Sequence, residues 1–168
     1  MIMLKSTAQA AALATHPRFV ASRTWSPERP ENLVVTCSDG RYHPQMEEFI
    51  RAEVSETPDL VAVPGGPVVI DPWASSFDQG RATDEALRLL FTMHELRRVW
   101  LLAHQGCAFY LNKFGPLGED QLKRWQVRDL RSARRRLLER WPGVEVRLVY
   151  VSLEESRVVF SPLGDRSA

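Results

Sequence analysis

The sequence predicts an α/β protein with a mostly parallel central β-sheet flanked by helices. Three observations support this fold class. Short apolar runs along the chain are continuous rather than alternating, which is typical of strands covered on both faces. Segments with helical spacing separate these runs, so that strands and helices alternate. Turns rich in proline and glycine mark several of the boundaries between them.

The first 30 residues are predicted to form a short N-terminal helix followed by an extended arm. The segment 1–14 is rich in alanine but lacks the bulky apolar core of a signal peptide. Pro17, Pro27 and Pro30 then prevent a continuous helix. No apolar stretch is long enough to span a membrane. We therefore expect a single cytoplasmic domain over residues 1–168, with 1–30 as its arm.

The next segments are assigned from their apolar residues and turns. Leu33 to Cys37 is the first predicted strand, and Pro44 suits the first turn of the helix that follows it. Residues 60–63 form the second predicted strand, which Pro64 to Pro67 close with a turn. We expect a loop over residues 68–81, because prolines, serines and a glycine recur there.

The second half of the chain continues the alternation. Thr83 is a predicted N-cap, since acidic residues follow it and two arginines come at the end of the same helical segment. Residues 99–103 are the third strand of the buried type. A long helix is predicted over 119–140, where it stops before a Pro-Gly pair. The last two predicted strands are 144–151 and 157–160.

The composition excludes several classes of protein. With 168 residues and 44% hydrophobic residues, the chain can bury a core without disulfide bonds. Its 22 basic residues nearly balance 21 acidic ones, so no overall field favours nucleic acid or a membrane surface as a partner. Two cysteines do not make a secreted disulfide framework. In a reducing compartment they more often serve packing, metal binding or catalysis.

Two short motifs follow predicted strands and carry the candidate chemistry. The first reads Cys-Ser-Asp-Gly-Arg over Cys37 to Arg41, and the second reads His-Gln-Gly-Cys over His104 to Cys107. Carboxyl ends of parallel strands meet at one edge, where open α/β sheets place their sites. Two sulfurs and one imidazole suit a catalytic zinc ion with one open position. Either cysteine alone is more often a small buried hydrophobe.

These motifs resemble those of the β-class carbonic anhydrases, which carry Cys-x-Asp-x-Arg after one strand and His-x-x-Cys after a later one. The resemblance covers about residues 30 to 160 and implies a β-carbonic anhydrase-like fold. It implies zinc bound by Cys37, His104 and Cys107, with Asp39 and Arg41 as the catalytic pair. The implied reaction is the reversible hydration of carbon dioxide to bicarbonate. The family also implies a homodimer or a multiple of dimers. In part of the family the counterpart of Asp39 is a fourth zinc ligand in a closed resting state, so Asp39 is a candidate for that role as well.

The chain departs from the family pattern beside the predicted site. Where the family carries Arg-Asn-Ala-Gly-Asn, this sequence has Val63 to Pro67, and Ala108 replaces a glycine before the bulky Phe109 and Tyr110. Relatives with altered channels hydrolyse carbon disulfide or carbonyl sulfide. Hydrolysis of these linear molecules is therefore the alternative reaction on the same scaffold.

Two further hypotheses compete with an enzyme. The protein could bind zinc without catalysis, or the basic side chains of the long predicted helix could bind a partner such as nucleic acid. Leucines and Trp125 interleave with those basic residues at helical spacing, which favours a solvated helix face with a packed inner side. His43 and His94 are candidate proton shuttles, although surface or packed positions are the more common fate of such histidines.

Overall fold

The computed structural model describes residues 18–55 and 57–164. The predicted N-terminal helix lies outside these residues. The part of the arm that is described, 18–30, has no helix or strand, in agreement with its prolines. Within the described chain, no helix is both long enough and apolar enough to cross a bilayer.

A five-stranded sheet forms the centre of the fold, in the order β2-β1-β3-β4-β5. The first four strands are parallel to their neighbours, and β5 runs antiparallel to β4. This confirms the predicted α/β class with a mostly parallel sheet. The strands are β1 (Asn32–Cys37), β2 (Asp59–Val63), β3 (Arg98–His104), β4 (Glu145–Glu154) and β5 (Arg157–Pro162).

Helices connect the strands and cover both faces of the sheet. The long helix has the predicted bounds, because its inner face repeats with helical period and a Pro-Gly pair follows its end. The α-helices are α1 (His43–Phe49), α2 (Phe77–Met93), α3 (Ala108–Phe114) and α4 (Glu119–Arg140). Shorter turns of 3₁₀ helix cover Gly40–Tyr42 and Gly66–Ile70, and a π-helical turn covers Ile50–Val54.

The continuous apolar runs of the central strands β1 and β3 are explained by burial on both sides, whereas the edge strand β2 is only partly buried. In β1, Leu33 and Val35 face the layer of α2 and α4, whereas Val34 faces α1. The same division holds in β3, where Leu101 and Leu102 belong to opposite faces. Since successive side chains of a strand point to opposite faces, a strand covered on both sides needs apolar residues at every position.

Two expectations for the segment after β2 are wrong. Residues 68–81 are not a loop throughout, because a 3₁₀ turn ends at Ile70 and α2 already begins at Phe77. Thr83 is not the N-cap but lies buried within α2, and the Ser76 hydroxyl accepts the capping hydrogen bond from the Gln79 N–H. Serine and threonine are both favoured at the N-cap, so residue type alone does not decide between them. The helix α3 was not predicted at all.

Candidate metal centre

The predicted ligands meet at the carboxyl edge of the sheet. Cys37 is the last residue of β1, and His104 is the last residue of its parallel neighbour β3. Cys107 follows three residues later as the N-cap residue of α3. All three side chains are buried. The alternation of strand and helix thus brings together two motifs that are far apart in the sequence.

The donor atoms are spaced for a tetrahedral ion. The two cysteine sulfurs lie 3.8 Å apart, and the potential ligand atoms of Cys37, His104 and Cys107 all lie within 4.8 Å of one another. Two sulfurs at about 2.3 Å from a tetrahedral zinc ion stand about 3.8 Å apart. His104 Nε2 is buried and has no hydrogen-bond partner among the described residues. An unsatisfied buried nitrogen beside two thiols fits a metal-binding role.

The two thiols are electrostatically coupled. A hydrogen bond from Cys107 lowers the pKa of Cys37, and His104 and the backbone of Gly65 lower it further, while burial acts in the opposite direction. The neighbouring Cys37 raises the pKa of Cys107. The pair therefore carries one negative charge more readily than an isolated buried thiol does. A thiolate beside an imidazole is the form that binds a cation.

Hydrogen bonds fix the orientation of the imidazole. His104 Nδ1 lies 2.9 Å from the Gln105 carbonyl oxygen, which can only accept, so Nδ1 carries the proton and Nε2 is free. The backbone carbonyl of His104 accepts from Gln126 Nε2 at 2.8 Å. Gln126 is a buried residue of α4. A metal-binding histidine commonly donates its second ring nitrogen to a carbonyl in this way.

Asp39 and Arg41 form a bidentate pair at the mouth of the site. Arg41 Nε donates to Asp39 Oδ1 at 2.9 Å, and Arg41 Nη2 donates to Asp39 Oδ2 at 2.5 Å. Arg41 Nη2 also donates to the Gly106 carbonyl, which ties the first motif to the second. The guanidinium lowers the pKa of Asp39 to about 2. Asp39 thus faces Arg41 as a carboxylate, and it does not belong to the group of three donors.

Apolar groups and a tight turn surround the sulfurs. Buried side chains of Val68, Val69 and Tyr110 pack with the two cysteines. The altered turn after β2 lies directly against β1, since a Cβ on Gly66 would stand 2.8 Å from the Cys37 backbone nitrogen. The neighbouring Gly65 is in contact with Phe109. The departures from the family pattern therefore lie beside the metal ligands rather than among them.

Sequence reasoning missed several residues that support the site. Tyr42 donates from its hydroxyl to the Gln105 carbonyl, and the Gln105 side chain accepts from the Leu153 N–H. The buried Tyr110 hydroxyl donates to Asp129, whose pKa is raised by burial. The available signal for Asp129 was an acidic residue on the helix face whose other positions are mostly apolar. Nothing in the sequence distinguished Tyr42 from an ordinary core aromatic.

Two arginines of the basic helix, and also His94, contact acidic side chains that do not belong to the donor cluster. In α4, Arg136 pairs with Asp71 at 3.0 Å and Arg140 with Asp84 at 3.4 Å, so part of its charge is used within the fold. This agrees with a helix whose outer face is solvated and whose inner face packs in the fold. His94 is the residue that follows α2. It lies at the opposite end of the sheet, where its Nδ1 is 2.6 Å from a carboxylate oxygen of Asp59, the first residue of β2.

No family model and no curated protein sequence matches the chain. Solved structures do match. A carbonic anhydrase from Streptococcus mutans has a TM-score of 0.55 at 15% identity, with 95% of this chain and 99% of that chain covered. A β-carbonic anhydrase from Aspergillus fumigatus has a TM-score of 0.52 at 14% identity, with 80% and 76% covered.

This likeness concerns the path of the chain, because the identities are low. The fold expected from the resemblance is thus confirmed independently of the motifs. This protein has the fold of the β-class carbonic anhydrases.

Proposed function

We propose that this protein is a zinc enzyme that catalyses the reversible hydration of carbon dioxide to bicarbonate. The observation that supports the proposal most directly is the meeting of two motifs at one edge of the sheet. The donors of Cys37, His104 and Cys107 lie within 4.8 Å of one another, and the Asp39–Arg41 pair is hydrogen-bonded to the same turn. Metal ligands and a charged pair beside them are what this chemistry needs.

Each group has a role in the proposed reaction. Zinc bound by two thiolates and an imidazole supplies a nucleophile at neutral pH by acidifying water. Asp39 stays ionised because Arg41 lowers its pKa to about 2, and its carboxylate orients a water by accepting a hydrogen bond. Arg41 holds that carboxylate through two N–H groups. The apolar side chains around the sulfurs suit a small uncharged substrate.

The first experiment measures zinc content and carbon dioxide hydration in parallel. We expect the protein grown with zinc to bind the metal, and Cys107→Ser to lose most of it because a thiolate ligand is removed. Absence of zinc from the unchanged chain, or full occupancy in Cys107→Ser, contradicts the site.

The second experiment separates the ligands from the charged pair. Asp39→Ala is expected to keep zinc and to slow hydration about 100-fold in rapid-mixing assays. The control is Asp78→Ala, which removes an exposed carboxylate in the first turn of α2. A rate that ignores Asp39→Ala refutes its role. A zinc-loaded protein without hydration activity directs the assay to carbon disulfide and carbonyl sulfide, and inactivity on all three leaves a non-catalytic zinc protein.

The proposal includes a homodimer, or a multiple of dimers, in the cytoplasm. Support for self-association comes from large apolar side chains on the surface, with Leu60 57%, Trp73 89% and Phe77 74% exposed. Leu60 lies on the edge strand β2, which pairs with β1 alone. Sedimentation at several concentrations tests the assembly, and a monomer at all of them contradicts it. The cytoplasm is proposed because thiolate ligands persist in a reducing compartment.

A further inference from the structure

Tyr42 contacts the ring of the predicted histidine ligand and also hydrogen-bonds to the carbonyl oxygen that this histidine uses, and neither interaction was expected from the sequence. Its ring lies 4.4 Å from the His104 ring, centroid to centroid, at an interplanar angle of 46°. Its hydroxyl donates to the Gln105 carbonyl oxygen at 2.8 Å, and the same oxygen lies 2.9 Å from His104 Nδ1. Both side chains are buried, with 5% of Tyr42 and 2% of His104 exposed.

The shared carbonyl links the two contacts. A carbonyl oxygen has two lone pairs, so it can accept from the phenol and from the imidazole together. Other hydrogen bonds hold Gln105 as well. Its backbone N–H donates to the Val151 carbonyl, and its side-chain oxygen accepts from the Leu153 N–H. The acceptor that selects the imidazole proton is therefore held in place by the hydroxyl and by β4.

We propose that Tyr42 is a positioning residue that holds His104 in the Nδ1–H tautomer, with Nε2 directed toward the two cysteines. The hydroxyl fixes the carbonyl to which Nδ1 donates, and the ring restricts rotation of the imidazole. Loss of the hydroxyl frees the carbonyl to tilt and opens the imidazole to the other tautomer, in which Nε2 carries the proton and cannot bind a metal. The expected effect of Tyr42 on metal binding rests on the proposed zinc site. Its effect on the His104 tautomer does not depend on that proposal.

The test uses the full chain without metal, labelled with ¹⁵N at histidine. His104→Gln identifies the signals of the ligand. We expect the Nδ1–H tautomer of His104 in the unchanged chain and a mixture of both tautomers in Tyr42→Phe, which keeps the ring. The control is Tyr150→Phe. It also removes the hydroxyl of a buried tyrosine, but that ring belongs to the core cluster on the other face of the sheet, so the His104 signals should stay unchanged.

Zinc affinity, measured by competition with a chelator, is the second readout. Tyr42→Phe is expected to weaken zinc binding about 10-fold, and Tyr42→Leu should weaken it further because the ring is also lost. Tyr150→Phe should stay within about twofold. Unchanged tautomer and affinity in Tyr42→Phe overturn the proposal, as does an Nε2–H tautomer in the unchanged chain. If the unchanged chain binds no zinc, the proposed function fails, and the tautomer measurement still decides the role of Tyr42.

Discussion

The turns around the candidate metal centre and the β4–β5 hairpin turn both contain backbone in the left-handed region, but with different residues. Near the sulfurs these positions are glycines, as with Gly66 at φ 60° and Gly106 at φ 66°. In the hairpin they are Glu155 at φ 46° and Ser156 at φ 70°. The hairpin joins a paired Glu154 and Arg157 through two residues, which is the type I′ arrangement.

The difference teaches where a side chain can be tolerated. The hairpin turn is exposed, so a side chain there costs only backbone strain, about 1 kcal/mol per residue. At Gly66 a Cβ would stand 2.8 Å from the Cys37 nitrogen and 2.9 Å from the Thr36 carbonyl carbon. Strain and a backbone clash coincide at that position. Close approach to the backbone at the end of β1, rather than turn geometry alone, thus requires a residue without a side chain.

The largest predicted effect is that of Gly66→Ala. Both a left-handed φ and a clash with the backbone at the end of β1 oppose it, so we expect a loss of more than about 2 kcal/mol in the free energy of unfolding. Zinc affinity should fall as well, since the clash displaces the backbone nitrogen of Cys37, a candidate ligand. Denaturant unfolding of the metal-free protein measures the first quantity. Gly143→Ala, which has open space and no left-handed φ, is the control and should change stability by less than about 0.5 kcal/mol.

Gly106→Ala should have a smaller effect. No atom lies within 4 Å of its added Cβ, so only the left-handed φ opposes the substitution. We expect a loss of about 1 kcal/mol in unfolding free energy and little change in zinc affinity. Equal losses for Gly106→Ala and Gly66→Ala would show that the close approach is unimportant and would break the comparison.

The smallest predicted effect is a gain. Replacing Glu155 by Asn and Ser156 by Gly gives the hairpin the residues that a type I′ turn prefers, and it should stabilise the fold by about 0.5 kcal/mol. Thermal unfolding at equal protein concentration measures this. Ser161→Gly is the matched control, because glycine within β5 should destabilise instead. A loss of stability in the double variant would mean that the turn residues have contacts worth more than the strain.

The strands and the meeting of the three candidate donors follow from the sequence because each depends on local pattern. Continuous apolar runs predicted β1, β2 and β3, and the parallel topology places the ends of β1 and β3 together, which brings Cys37 next to His104. The start of α2 was missed because Pro72 and Gly80 suggested a loop. Gly80 is instead inside the helix, where a Cβ would stand 2.8 Å from the Pro72 Cβ. Such packing between segments leaves no periodic signal.

The surroundings of the site depend on contacts across the fold, so the sequence could not predict them. Tyr42 meets Gln105 across 63 positions, and Gln126 reaches the His104 carbonyl from another element. These hydrogen bonds follow from the depth at which helices pack on the sheet. The motifs predict the types of the candidate ligands, whereas the residues that orient them are set by tertiary packing.

The separation of the two cysteines has a consequence for folding. Cys37 and Cys107 are 70 positions apart, on segments that meet only when β1 and β3 pair at the centre of the sheet. Zinc bound there acts as a cross-link between native strands, with no equivalent in the unfolded chain. A free zinc concentration of 100 times the dissociation constant adds about 2.7 kcal/mol to the stability of the fold. If zinc slows hydrogen exchange in β1 and β3 more than in β5, then the site stabilises mainly the pairing of the central strands.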